Sequence, residues 1–370
     1  MSNGEIFRDY SMKILSIVGA RPNYIKLAAV YEAFKIFEHV VVDTGQHYDY
    51  EMNRVFHDQL NIPEPHYFLG VGSGSHGYQV GEIIKCAEEV LLREKPVIVV
   101  VYGDTNSALG GALAAVKAGF KVAHVEAGLR SFDVNMPEEI NRRVIDHVSN
   151  LLFVPTKTAL NNLRNENVPG IVHLVGDVHV YILKKQLPIA EERSNVLGRL
   201  GLRTHDYILV TLHRAENVDD PNRLVKFLRL INKISQYYKV VFPTHPRTRK
   251  NISQFGLDSL LAKNENIILS QPLGYIDFIK LLNHSRMVLT DSGGVQREAY
   301  LLRKPVIVLR KNTEWVELVE HKQALLCDPD NLDENRILNW KPGDYIEGLL
   351  GDGSAPWRIA ETISLYLKHT

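Results

Sequence analysis

The chain has 370 residues, 45% of them hydrophobic, enough for two domains with substantial cores. Lysine plus arginine and aspartate plus glutamate each total 43, so no global field recruits nucleic acid or an anionic membrane, and any anionic ligand must be held by local charge. No apolar run approaches the roughly 20 residues needed to span a bilayer, and Cys86 and Cys327 have neither metal-type nor redox spacing. With no signal-peptide core at the N-terminus, these features predict a cytoplasmic protein in a reducing compartment.

Residues 1–11 are polar and unpatterned and read as an extension outside the core. A strand over Met12–Val18 runs into Gly19-Ala20-Arg21-Pro22-Asn23 and a helix carrying Lys26. A glycine turn between strand and helix aims backbone N–H groups at an anion, and Arg21 and Lys26 lie one turn apart at that entry. Arg21 could equally be a surface cation. Val40–Asp43 is the next strand. Gly70–Gly77, with four glycines in eight residues, reads as a mobile loop, lid or connection before a helix over Tyr78–Arg93.

The stretch from Lys95 to Arg143 organises the first half. Pro96–Tyr102 is a continuous apolar run of the kind found in a parallel sheet covered on both faces, and it ends in Gly103-Asp104-Thr105. A helix over Ala108–Gly119 leads to a strand over Lys121–Val125 that delivers Glu126, in the run His124-Val-Glu-Ala-Gly-Leu-Arg130. Met136-Pro137-Glu138-Glu139 opens another helix, with proline in its first turn and acids near its positive end. Ligands of open parallel sheets bind outside the carboxyl ends of the strands, so Asp104, Glu126 and Glu138 are expected to converge. The structural alternatives are a helix cap for Asp104, dipole complementation for Glu138 and Glu139, and an ion pair between Glu126 and Arg130. Leu151–Val154 and Ile171–Val175 are further strands, Thr156 caps the helix between them, and a long helical segment follows Gly176-Asp177.

From about Tyr207 the alternation of strand and helix restarts, with strands over Ile208–Thr211, Val240–Phe242, Ile267–Leu269, Met287–Leu289 and Val306–Leu309. Their ends carry mostly basic or hydrogen-bonding residues, among them His213, His245, Ser292 and Arg310. The acids crowd into the first half and the donors into the second, so a site between two facing α/β domains is expected. In Thr290–Glu298 the residues Ser292, Gly293 and Gly294 open a helix whose free N–H groups suit a diphosphate, and Glu298 could accept from ribose hydroxyls; the alternative is an ordinary capped turn. His213 and His245 lack the ligand pattern of a zinc site and read as hydrogen-bond donors or proton-transfer residues. No metal or redox cofactor is signalled.

With those residues in place, the chain resembles the non-hydrolysing UDP-N-acetylglucosamine 2-epimerases. Seven blocks carry the resemblance: Gly19-Ala-Arg-Pro with Lys26, Tyr102-Gly-Asp-Thr, His124-Val-Glu-Ala-Gly-Leu-Arg, Pro137-Glu-Glu-Ile-Asn-Arg, His213-Arg, Thr290-Asp-Ser-Gly-Gly-Val-Gln-Arg-Glu-Ala and Gly351-Asp-Gly. The resemblance implies the GT-B fold, an α/β architecture of two Rossmann-like domains facing a central cleft. The domains would cover residues 12–178 and 179–357, with residues 358–370 forming a helix that returns to the first. It assigns Asp104, Glu126, Glu138 and His213 to catalysis. Arg21, Lys26, Arg130 and His245 become substrate contacts, and Ser292, Gly293, Gly294 and Glu298, with Arg310 and Glu314 near them, the nucleotide contacts. It implies reversible C2 epimerisation of UDP-N-acetylglucosamine to UDP-N-acetylmannosamine through loss and re-addition of UDP, without cofactor, by a homodimer supplying glycan precursors. Bacterial members can be activated by a second substrate molecule in a region matching Gln46, His47 and His245. Tyr48-Asp49 follows here where Arg-Glu is often seen. Thr313-Glu-Trp-Val-Glu317 likewise replaces the usual Thr-Glu-Arg-Pro-Glu. A hydrolysing epimerase, a GT-B glycosyltransferase and a catalytically silent nucleotide-sugar binder are the competing readings.

Overall fold

A computed structural model describes residues 12–46, 59–60, 62–261 and 264–369; the N-terminal extension and His47 lie outside the described residues. The chain divides into two compact units. One runs to Lys184 and resumes at Gly348, and the other is Lys185–Glu347. The boundary thus falls inside the helix Val178–Arg193 and again before Gly348, where the sequence reading sets 178 and 357.

The first unit is built on a seven-stranded sheet of β1 (Lys13–Val18), β2 (Glu38–Asp43), β3 (Tyr67–Phe68), β4 (Ile98–Tyr102), β5 (Lys121–Val125), β6 (Leu151–Val154) and β7 (Ile171–Leu174). Their spatial order is β3-β2-β1-β4-β5-β6-β7 and every pairing is parallel. Every residue of β4 and of β6 is buried, as continuous apolar runs require when helices cover both faces of a sheet. Leu15, Ile17, Val99 and Val101 pack with Ala87, Leu91, Ala108 and Ala112 from the helices His76–Glu94 and Asn106–Lys117. The last helix, Ala355–Lys368, packs on the helix Arg21–Tyr31 of this same unit. Trp357 meets Tyr181 edge-on at 4.7 Å, which helps hold the returning chain.

The second unit holds six parallel strands: β8 (Tyr207–Thr211), β9 (Lys239–Pro243), β10 (Ile267–Ser270), β11 (Met287–Thr290), β12 (Val306–Val308) and β13 (Ala324–Leu326). They are ordered β10-β9-β8-β11-β12-β13. Leu224, Phe227, Leu228 and Ile231 of the amphipathic helix Pro221–Ile234 bury one stripe on Ile208, Val210 and Val240. Both sheets therefore reverse strand order once, between β1 and β4 and between β8 and β11, and such a reversal leaves a crevice at the carboxyl ends of the strands. Among the described residues no helix is long and apolar enough to cross a membrane.

Candidate functional site

In the first unit Asp104 follows β4 at the strand reversal, Glu126 follows the neighbouring β5, and Glu138 opens the helix Pro137–Val148. Glu126 ends β5 in a left-handed conformation, φ 71°, that costs a non-glycine residue energy and is retained where the surroundings enforce it. Its carboxylate meets the Lys26 ammonium at 2.8 Å, with both side chains largely buried. Gly103, at φ 64°, makes this pair possible, because a Cβ there would stand 2.3 Å from Lys26 Nζ. Lys26 thus reaches across the end of β4 to the end of β5, so it is a partner of Glu126 as well as a candidate phosphate contact.

Asp104 does not cap its helix. Thr105 does, accepting from the Ala108 N–H, which leaves the half-buried Asp104 carboxylate for Arg142, whose guanidinium donates to it at 2.5 Å. Asn141 donates to the Asp104 carbonyl at 2.9 Å. The two neighbouring acids at the start of the helix Pro137–Val148 divide their labour. Glu139 is buried and accepts from the Ser131 N–H and hydroxyl, from Arg142 and from Arg143, whereas Glu138 is only half-buried in the first turn. Arg142 and Asn141 escape a search for acids and strand ends. Their spacing of four and three residues from Glu138, on one helix face, is the signal that could have found them.

Arg130 has a different post from the one expected. It does not pair with Glu126, and its buried guanidinium is engaged by Asp146 at 2.7 Å and by both oxygens of Glu166 at 2.8 and 2.6 Å. Asp146 in turn faces His124 Nδ1 at 2.7 Å, and His124 Nε2 meets the Gly103 carbonyl at 2.8 Å. Arg130 is therefore joined, through Asp146 and His124, to the turn that carries Asp104. Arg21 is half-buried at the first turn of its helix. Gln46 accepts from the Ser107 N–H and hydroxyl, and the glycine-rich stretch before Tyr78 is tied down, Gly72 N–H to the Gly45 carbonyl at 3.0 Å and Gln79 to the Gly72 carbonyl at 2.8 Å.

In the second unit His213 follows β8 and Asp291 follows β11, on either side of the strand reversal. Their side chains meet at 3.1 Å, and Asp291 also accepts from the His213, Arg214 and Asn217 N–H groups. Burial would raise the Asp291 carboxyl, but the His213 ring, the Arg214 backbone and Asn217 outweigh it and hold the carboxyl at about 2. An ionised Asp291 at Nδ1 fixes the His213 ring and leaves Nε2 for another partner. Asp291→Asn should therefore lower turnover on the order of 10²-fold. Steady-state rates, with circular dichroism to confirm folding, decide this, and undiminished turnover would remove His213 from the chemistry.

Ser292 caps the helix Gly293–Leu301 by accepting from Val295 N–H at 3.4 Å, and Gly293 and Gly294 are partly exposed at that helix start. Glu298 lies buried one turn on and accepts from the Tyr275 hydroxyl at 2.9 Å. Arg310 and Glu314 pair with each other at 2.6 Å, and Arg214 approaches the same carboxylate at 3.3 Å. A Cβ at Gly293 would lie 2.8 Å from Glu314, so that glycine brings the helix start against the pair. Trp315, standing where the resembled family often has arginine, lies under the Arg297 guanidinium at 4.4 Å and is buried. His245 is exposed, caps the helix Pro246–Gln254 through Nδ1, and has its ring centroid 5.8 Å from that of His213.

Two parallel sheets, each with its polar turns gathered at one strand reversal, define the α/β class of GT-B proteins, as the solved relatives bear out. The chain belongs to the UDP-N-acetylglucosamine 2-epimerase family, whose sequence profile matches residues 30–364. A UDP-N-acetylglucosamine 2-epimerase homolog of Methanococcus maripaludis is 51% identical over 357 residues, covering 95% of this chain and 99% of the relative. The UDP-2,3-diacetamido-2,3-dideoxy-D-glucuronate 2-epimerase of Pseudomonas aeruginosa is 45% identical over 361 residues, with the same coverage. The crystal structure of Methanocaldococcus jannaschii UDP-GlcNAc 2-epimerase in complex with UDP-GlcNAc and UDP superposes with a TM-score of 0.88 at 41% identity, covering 96% of this chain and all of that one.

Proposed function

We propose that the protein is a non-hydrolysing epimerase that interconverts UDP-N-acetylglucosamine and UDP-N-acetylmannosamine, acting in the reducing cytoplasm as a homodimer and supplying precursors for glycans. Inverting C2 requires removal of a proton that no adjacent carbonyl acidifies, so direct abstraction is a poor route. Loss of that proton together with cleavage of the bond between C1 and the diphosphate oxygen gives a glycal and UDP. Re-addition of the diphosphate oxygen to C1, with a proton delivered to the other face of C2, gives the epimer. The route needs donors for the departing diphosphate and carboxyl groups for general acid and base work.

The observation that carries this reading is the pairing of acids with cations at one strand reversal, Glu126 with Lys26 and Asp104 with Arg142. A transferase needs a nucleotide turn such as Ser292–Gly294, but that need alone does not account for several acids on the first unit. The test is proton NMR of the reaction in deuterated water without added cofactor. Deuterium should appear at C2 of the epimerised sugar. Retention of the original proton, or free N-acetylmannosamine as the main product, would overturn the proposal.

A second substrate is favoured by the Pseudomonas relative, since its 45% identity matches that of the UDP-N-acetylglucosamine epimerases of methanogens at 44%. Both sugars carry UDP at C1 and an acetamido group at C2, so the same chemistry serves either. They differ at C3 and C6. Running both donors in the deuterium experiment ranks them.

A further inference from the structure

Glu126 meets the Lys26 ammonium at 2.8 Å. Asp177 and His179 also approach it from the segment after β7, and one side-chain atom from each of Glu126, Asp177 and His179 lies within 4.8 Å of the other two. Asp177 and His179 are buried, at 2% exposure. Asp177 Oδ1 accepts from the His179 N–H at 2.9 Å and faces His179 Nδ1 at 3.3 Å. The segment is fixed from behind. Gly176 and Gly351 pack backbone to backbone at φ 93° and 107°, a Cβ on Gly351 would stand 3.0 Å from Gly176 Cα, and Asp177 N–H donates to the Leu350 carbonyl at 2.8 Å. That contact gives the Gly351-Asp352-Gly353 block a physical role, because only glycine tolerates both the left-handed backbone and the approach.

Two carboxylates and an imidazole are also a donor set suited to a divalent cation. Here, however, the Lys26 ammonium already occupies the cation position at Glu126, and the cavity lined by Glu126, Phe153, Val175 and Asp177 has no room for a water molecule. The cluster instead resembles a proton site. An ammonium favours the ionised carboxylate, and a second carboxyl group close by disfavours it.

We infer that Asp177 and His179 are positioning residues that clamp the Glu126 carboxylate against Lys26 and set how readily it takes up and releases a proton. The inference rests on Glu126 being one of the reacting carboxyls. Charged groups placed near it include Lys26 from the helix Arg21–Tyr31 and Asp177 and His179 from the Gly176 segment, with the Asp104–Arg142 pair on the turn after the neighbouring strand. Arg358 of the last helix touches the Val175 carbonyl at 3.4 Å but is paired with Asp352.

Asp177→Asn keeps the shape and the Oδ1 acceptor while removing the charge. It should lower kcat about tenfold and move the limb of the rate profile that reports Glu126 to lower pH by about one pH unit. UDP affinity by calorimetry should not change. In a Glu126→Gln background the substitution should cost the residual turnover nothing further. His179→Gln should move the same limb, and it carries the test should Asp177→Asn not fold. A profile superimposable on the wild type, or an equal loss in the Glu126→Gln background, would overturn the inference. Near-normal turnover by Glu126→Gln itself would instead overturn the catalytic reading of Glu126, so the two failures are distinguishable.

Discussion

Asp104→Asn, Glu126→Gln and Glu138→Gln should each lower turnover on the order of 10²-fold or more while UDP still binds, the usual scale for a lost general acid or base. Each substitution keeps the shape of the side chain and removes its basicity. Asp104→Asn deprives the buried Arg142 of one acidic partner, but Glu139 remains at 3.1 Å to hold the guanidinium. Glu138 lies half-buried in the first turn of its helix, where a negative charge contributes only about 0.3–1 kcal/mol, so its loss should cost little stability and the fall in rate should stand out. At least one variant should release the glycal, because elimination proceeds while re-protonation is blocked. Ser292→Ala and Glu298→Ala should fail in the opposite way. UDP affinity should weaken roughly ten- to a hundredfold, corresponding to about 1.5–3 kcal/mol for a charge-assisted bond. Near-normal turnover in the three acid variants, or a loss of UDP affinity like that of Ser292→Ala, would detach catalysis from the first unit.

Much of the fold, and the place of the candidate residues in it, was legible in the sequence because strand ends in a parallel sheet announce themselves. Continuous apolar runs that end in glycine, proline or polar residues give the strands to within a residue or two, and the residues just after each run lie at the carboxyl edge by construction. The reading fails where the signal is too short or too distant. Tyr67–Phe68 and Ala324–Leu326 are strands of two and three residues, too brief for any periodicity, and both are sheet edges. The spacing of Glu126 and Arg130 suggested a local ion pair, but the turn at Glu126 is left-handed and points the two side chains to different partners. No pattern in the chain announces that Asp146 and Glu166 will meet Arg130, or that Gly351 will lie against Gly176. Such contacts are fixed by the packing of whole helices and strands, and a linear pattern records only the face each residue occupies.

Asp146→Ala should cost about 3–5 kcal/mol of stability, the range for removing one partner from a buried ion network. That is a large share of the roughly 5–15 kcal/mol that holds a typical domain together, so the urea midpoint should fall steeply. The carboxylate is fully buried and accepts from His124, from Arg130 and from the Gly128 N–H at 3.1 Å. Burial opposes its charge, but the His124 and Arg130 contacts prevail and hold the carboxyl below the ordinary aspartate range. Glu166, hydrogen-bonded by the same guanidinium, is also lowered. Folded-state values below the unfolded ones mean that these groups stabilise the fold fully at neutral pH and lose that contribution as pH falls below about 4 toward the lowered native values. The variant should accordingly show a shallower loss of stability with acid than the wild type. Because His124 links Asp146 to the Gly103 carbonyl beside Asp104, turnover should fall as well, even under conditions where the variant remains folded. A variant within about 0.5 kcal/mol of the wild type, the range of an ordinary surface substitution, would show that the network does not hold the turn.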